Sequence, residues 1–150
     1  MEQLIFDSGI KEYQINGKGV LRFNPSDPNV YERFFDAVDK IHAVEKEMAE
    51  KAKATDVTAQ EEAGAIMLKI MREMDIKIKD ILNGVFGFDN DFDNILCGVN
   101  LMAVASNGNR VVVNLLEALQ PIMEAGAKAC ADKDVAQAKL NREQRRAMQR

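Results

Sequence analysis

From Ala63 to Val85 apolar residues recur every third or fourth position, at Ala63, Ile66, Met67, Ile70, Met74, Ile78, Ile81 and Val85. Only the 3.6-residue period of an α-helix puts such a set on one face. A face of six turns must be buried against something comparably long. The preceding segment supplies it, because Val30, Phe34, Val38, Ile41 and Met48 repeat with the same spacing between about Pro28 and Lys53. Thr58-Ala-Gln-Glu61 has the form of a capping box that opens the second helix after a break at Thr55 to Thr58. Two amphipathic helices joined by a short polar connection pack antiparallel, so an αα-hairpin is predicted. Beyond Glu45 the first helix turns rich in Lys, Glu and Ala and is expected to project toward solvent.

The chain before these helices has a different period. Tyr13 and Ile15, then Val20, Leu21 and Phe23, flank Asn16-Gly17-Lys18-Gly19. Asn-Gly between strand-like runs predicts a β-hairpin, because both residues accept positive φ. A short strand at Leu4 to Phe6 is a further candidate. A two-stranded ribbon is not stable in water by itself, so it packs on the helices or pairs with another chain through an open edge. Asn24-Pro25-Ser26-Asp27-Pro28 then ends the strand and opens the first helix.

Around Val85 the pattern breaks at Gly84, Gly87 and the aspartates at 89, 91 and 93, with Phe86, Phe88 and Phe92 interleaved. A third helix is expected from Asp91 or Asp93, carrying Ile95, Leu96, Val99, Met102 and Ala103, stopped by Asn107-Gly108-Asn109. A fourth begins near Asn109 or Arg110 with Val112, Leu115, Leu116, Leu119, Ile122 and Met123, and Pro121 is expected to kink it. The fold class is therefore mainly α (α+β), a helical domain of about four helices with an N-terminal β-hairpin. The expected organisation is a single domain over 1–138, with the hairpin within 4–23 and helices from about 28 to 130, followed by a basic tail over 139–150.

Composition narrows the function. With 150 residues, 47% of them hydrophobic, the chain is long enough for a core without disulfides or metal. Its apolar runs fall far short of a membrane span and its start lacks a signal peptide, so a cytoplasmic protein is expected. Cys97 and Cys130 have no CxxC partner and read as reduced thiols. Lys139, Arg142, Arg145, Arg146 and Arg150 against Glu143 give the tail +4, which leaves −8 on residues 1–138. An acidic body repels nucleic acid at long range. The tail reads either as a solvated helix end or as an arm that orders on a partner.

Catalytic chemistry has little to stand on. His42 is the only histidine, at the edge of the Tyr31, Phe35 and Val38 stripe with no nucleophile constellation, and one His with two distant Cys does not make a zinc site. Asp89, Asp91 and Asp93 match positions one, three and five of a calcium loop. However, Asn94 stands where the turn glycine belongs and Asn100 where the bidentate glutamate belongs, so helix capping is the better reading. No cofactor is called for. Eight methionines remain, with Met67, Met71 and Met74 on or near the apolar face of the second helix. They fill a core by default and form an adaptable binding surface otherwise. Together with Phe86 and Phe88 they are the candidate partner-binding strip, and Arg142, Arg145 and Arg146 are the candidate electrostatic contacts.

A family resemblance rests on several segments in order. These are Phe23-Asn-Pro25-Ser-Asp-Pro28-Asn-Val-Tyr31-Glu-Arg-Phe34, Val85-Phe-Gly87-Phe, Phe92-Asp-Asn-Ile-Leu-Cys-Gly98-Val-Asn100, Asn107-Gly-Asn109, Leu115-Leu-Glu-Ala-Leu-Gln-Pro121-Ile and the closing Leu140-Asn-Arg-Glu-Gln-Arg-Arg-Ala. In this order the chain resembles the small tail assembly chaperones of long-tailed phages and prophages of Gram-positive bacteria. The resemblance implies a non-enzymatic protein of the host bacterial cytoplasm. Such a protein coats the long helical tape measure protein before tail tube subunits polymerise round it, and is absent from the finished virion. The partners it implies are the tape measure protein and the tail tube protein, with self-association also open. The rival from another class is a minor structural or connector protein of the tail, adding subunits through the hairpin edge. A nucleic-acid-binding regulator using the tail is weaker, given the acidic body.

Overall fold

The computed structural model describes residues 1–54 and 60–149. Within them the chain is mainly α with an antiparallel two-stranded hairpin near its start. The strands are β1, Lys11–Ile15, and β2, Gly19–Phe23, in the register Tyr13 to Leu21. Asn16 and Gly17 both have positive φ, and the Lys18 N–H donates to the Ile15 carbonyl at 3.1 Å. That is the reversal the Asn-Gly pair predicts. Leu4 to Phe6 form no strand. Among the described residues the sheet holds β1 and β2 alone.

Helix α1, Pro28–Ala54, and helix α2, Gln60–Phe86, make the antiparallel pair. The order of contacts shows the direction. Arg33 Nε donates to the Val85 carbonyl at 3.0 Å, whereas farther along α1 Glu47 pairs with Lys77 at 3.3 Å. The Thr58 capping box and the break before it lie outside the described residues. Gly84 does not interrupt α2, which runs on to Phe86, because a helical glycine costs only about 1 kcal/mol. The far half of α1 does not leave the body either. Met48 is fully buried and Ala52 packs on the core, because the matching turns of α2 cover this stretch.

The third helix is much shorter than its pattern implied. Helix α3 spans Phe92–Ile95 and ends in left-handed residues at Cys97 and Gly98. The Gly98 N–H donates to the Asp93 carbonyl at 2.8 Å and the Cys97 N–H to the Asn94 carbonyl at 3.0 Å, the paired bonds of a Schellman stop. Val99 to Arg110 are then a looped hairpin closed by a bridge between Val104 and Arg110, with Asn107-Gly108-Asn109 near its tip and not at a helix end. Arg110 Nη1 donates to the Met102 carbonyl at 2.7 Å and holds the loop shut.

Helix α4, Val111–Met148, continues through Pro121 and through the basic segment, beyond the expected end near 130. At 38 residues it is about 57 Å long. Its buried residues, Val112, Leu119, Met123 and Gly126, all lie in the first half. Gly126 is there because the backbone carbonyl of Pro25 occupies the space a Cβ would need. The core itself collects Leu21 and Phe23 from β2, Phe34 and Ile41 from α1, Ile78 and Leu82 from α2, and Phe92, Leu101 and Met123 from the elements that close over them.

Candidate functional site

A groove of about 360 Å³ opens between α1, α2 and the first turn of α4. Five of its lining residues are methionines, Met48, Met67, Met71, Met74 and Met102, joined by Ile70 and Val113, with Glu45 and Arg110 also on the lining. The helical spacing of Met67, Met71 and Met74 aims all three at α1. Their depth differs. Met67 is exposed, Met71 half-buried and Met74 buried, so the groove has a soft mouth and a floor continuous with the core. Unbranched thioether side chains can re-pack against apolar partners of different shape.

The remaining candidates do not join this groove. Phe86 is buried, edge-on to Phe23 at 4.8 Å between ring centroids and tilted on Phe92 at 5.6 Å, so it is a core residue. Phe88 is 77% exposed, just past the end of α2. Met67 and Phe88 sit near opposite ends of α2, about 30 Å apart along it, so one continuous strip does not form. Arg142, Arg145 and Arg146 are exposed on the last turns of α4, about 44–50 Å along the helix from Val113. Any partner touching both groove and arginines must be extended.

The aspartates after α2 have structural work. Asp91 caps α3 by accepting the Asp93 N–H at 3.1 Å. Asp93 and Asp75 both grip Lys79, at 2.7 and 2.9 Å from its Nζ. Lys79 is only 5% exposed. Burial by itself would lower its pKa, but the bonds to Asp93 and Asp75 and their charges outweigh it and raise the pKa above the usual lysine value. Asp75 also accepts the Leu101 N–H at 2.8 Å, so a carboxylate that holds Lys79 within α2 also ties that helix to the 99–110 loop. Among the described residues, no group of three or more His, Cys, Asp and Glu side chains is placed to hold a metal ion. His42 is exposed on α1, Cys97 is exposed and Cys130 half-buried, and both thiols are free.

Sequence reasoning missed a second groove, of about 550 Å³, between β1, Leu96 and Val99, and the Val111 to Ile122 face of α4. Leu115 and Ile122, among the apolar residues expected on the fourth helix, are half-buried and wall this groove. It also missed Met48 and Met102 as lining, since only the fold brings them to α2. Their sole advance signal was the methionine count. No helix among the described residues is long and apolar enough to cross a membrane. No family model, curated protein or solved structure matches this chain.

Proposed function

We propose that this protein is a non-enzymatic tail assembly chaperone of a long-tailed phage or prophage, holding apolar helical segments of the tape measure protein in the host bacterial cytoplasm. The observation that carries the reading is the methionine-lined groove between α1, α2 and α4. A long helical partner with apolar stretches offers more than one face to bind, and a binder of such a partner needs an adaptable surface, which methionine provides. The exposed arginines of α4 suit a second, electrostatic contact with the same extended partner. The tail tube protein is the other partner consistent with this role.

Co-purification with tape measure segments tests the reading. The wild-type chain retains them, and a Met67→Asp, Met71→Asp double variant with an unchanged helical spectrum loses them. Finding the protein as a stoichiometric component of mature virions would overturn the chaperone reading in favour of a structural or connector role.

A further inference from the structure

Leu4, Ile5 and Phe6 are 88%, 86% and 73% exposed, three large apolar side chains in a row on a segment with no regular secondary structure. The segment is not aimed at random. The Asn24 side chain donates to the Ser8 carbonyl at 3.0 Å and the Gly9 N–H donates to Asp7 Oδ1 at 2.8 Å, which fixes where the chain leaves the body. Lys11 pairs with Phe23, so the segment departs from the end of the hairpin opposite its Asn16-Gly17 turn.

The hairpin has one edge closed and one open. On the outer side of β2 the Asn90 side chain bonds both the N–H and the carbonyl of Arg22. Farther along, the backbone of Ile95 lies so close to Gly19 that no Cβ fits. Within the two-stranded sheet only β1 is then left to accept another strand. The 550 Å³ groove is lined by the consecutive residues Tyr13, Gln14, Ile15 and Asn16. Successive strand side chains point to opposite faces, so a groove lined by an unbroken run follows the strand's edge.

We propose that residues 3–7 of one copy of this chain add as a strand to β1 of a second copy, seating Leu4 and Phe6 in the groove between β1 and α4. The same molecule carries an unburied apolar strand-length segment and an unfilled apolar groove beside an open edge. The segment is tethered at the hairpin end opposite the turn, whereas the groove runs to Asn16 in the turn. Charge agrees, since Glu2 and Asp7 border the apolar triplet while Lys11 opens β1 and Lys18 lies in the turn after it, the acid of β1, Glu12, being paired with Arg22. Backbone bonds of the added strand supply register, and the groove supplies side-chain selection. Each copy has one arm and one groove, so association runs head to tail or closes by reciprocal exchange.

Sedimentation of the full chain decides it. The wild type should exceed the 16.8 kDa protomer mass, increasingly so with concentration. Leu4→Asp with Phe6→Asp should return it to protomer mass, and at dilutions where the wild type is itself a protomer the two should melt together, because these side chains are exposed in their own fold. Ala118→Glu in the groove should do the same. An equimolar mixture of the two defective proteins retains one intact arm and one intact groove and should form a species of twice the protomer mass and nothing larger. A synthetic peptide of residues 1–10 should lower the mass of the wild type, which keeps the test decisive if Ala118→Glu misfolds. A wild type that stays at protomer mass, an arm variant that keeps the wild-type mass, or a peptide without effect would each overturn the proposal. So would an arm variant that is less stable than the wild type at dilutions where both are protomers, since it would place the arm in its own groove.

Discussion

The Asn90 carboxamide does for Arg22 what a neighbouring strand would do, accepting its N–H at 2.8 Å and donating to its carbonyl at 2.8 Å. The same Nδ2 also donates to the Phe86 carbonyl at 2.9 Å, so one side chain joins the sheet edge to the end of α2. Asn90→Asp keeps the shape but sets a carboxylate oxygen against two carbonyls in a buried site. Loss of about 2–4 kcal/mol is expected by urea unfolding, with Asn90→Ala costing somewhat less because it buries no charge.

Asp75 accepts from both Lys79 and the Leu101 N–H, and its removal leaves that backbone donor unpaired and the buried lysine with Asp93 alone. Asp75→Ala should therefore cost about 2 kcal/mol. Asp36→Ala removes a carboxylate from an exposed pair with Lys40 and should cost under about 1 kcal/mol.

The raised pKa of Lys79 sets the sign of a pH effect. A lysine whose folded pKa exceeds its unfolded value of about 10.4 contributes stability that is complete below that pH. The contribution fades as pH rises through the folded pKa. Wild type should lose stability above about pH 10.4 more steeply than Lys79→Met, measured by denaturant midpoints across the alkaline range.

Two glycines should respond oppositely to alanine. Gly84 is exposed within α2 with open space where a Cβ would go, so Gly84→Ala should stabilise by about 0.5–1 kcal/mol. At Gly126 the new Cβ meets the Pro25 backbone, and Gly126→Ala should lower the melting temperature by forcing α4 off the turn that precedes α1.

The groove separates the candidate residues by binding. Met67→Asp with Met71→Asp should weaken capture of an apolar helical peptide at least about tenfold, since charge at an apolar anchor costs more than 1.4 kcal/mol. Phe88→Asp should leave capture unchanged, because Phe88 lies at the other end of α2.

Legibility followed the range of the interaction. The hairpin turn, α1, α2 and the start of α4 are local patterns of period and capping, and these residues wrote them plainly. Leu96, Val99 and Met102 misled because their spacing also fits a helix, while the stop at Cys97 and Gly98 depends on a left-handed non-glycine residue that no periodicity announces. Phe86 and Phe88 look alike in sequence. One turns inward against Phe23 and the other outward, a choice made by the position of β2 and not by either residue's neighbours. Met67, Met71 and Met74 could be placed on one face beforehand, but Met48 and Met102 reach them only through tertiary contacts.

Helix α4 keeps its tertiary contacts to the first half, and that division gives it two thermal behaviours. The turns that carry Val112, Leu119, Met123 and Gly126 are bound to the cooperative transition of the body. The turns beyond them follow helix–coil statistics, in which a stretch of this length is marginal in water and shortens gradually from its free end. Heating should therefore draw down far-ultraviolet ellipticity steadily before near-ultraviolet signals change at all. The length of ordered helix that presents Arg142, Arg145 and Arg146 becomes a function of temperature and salt, a graded quantity attached to an all-or-none fold.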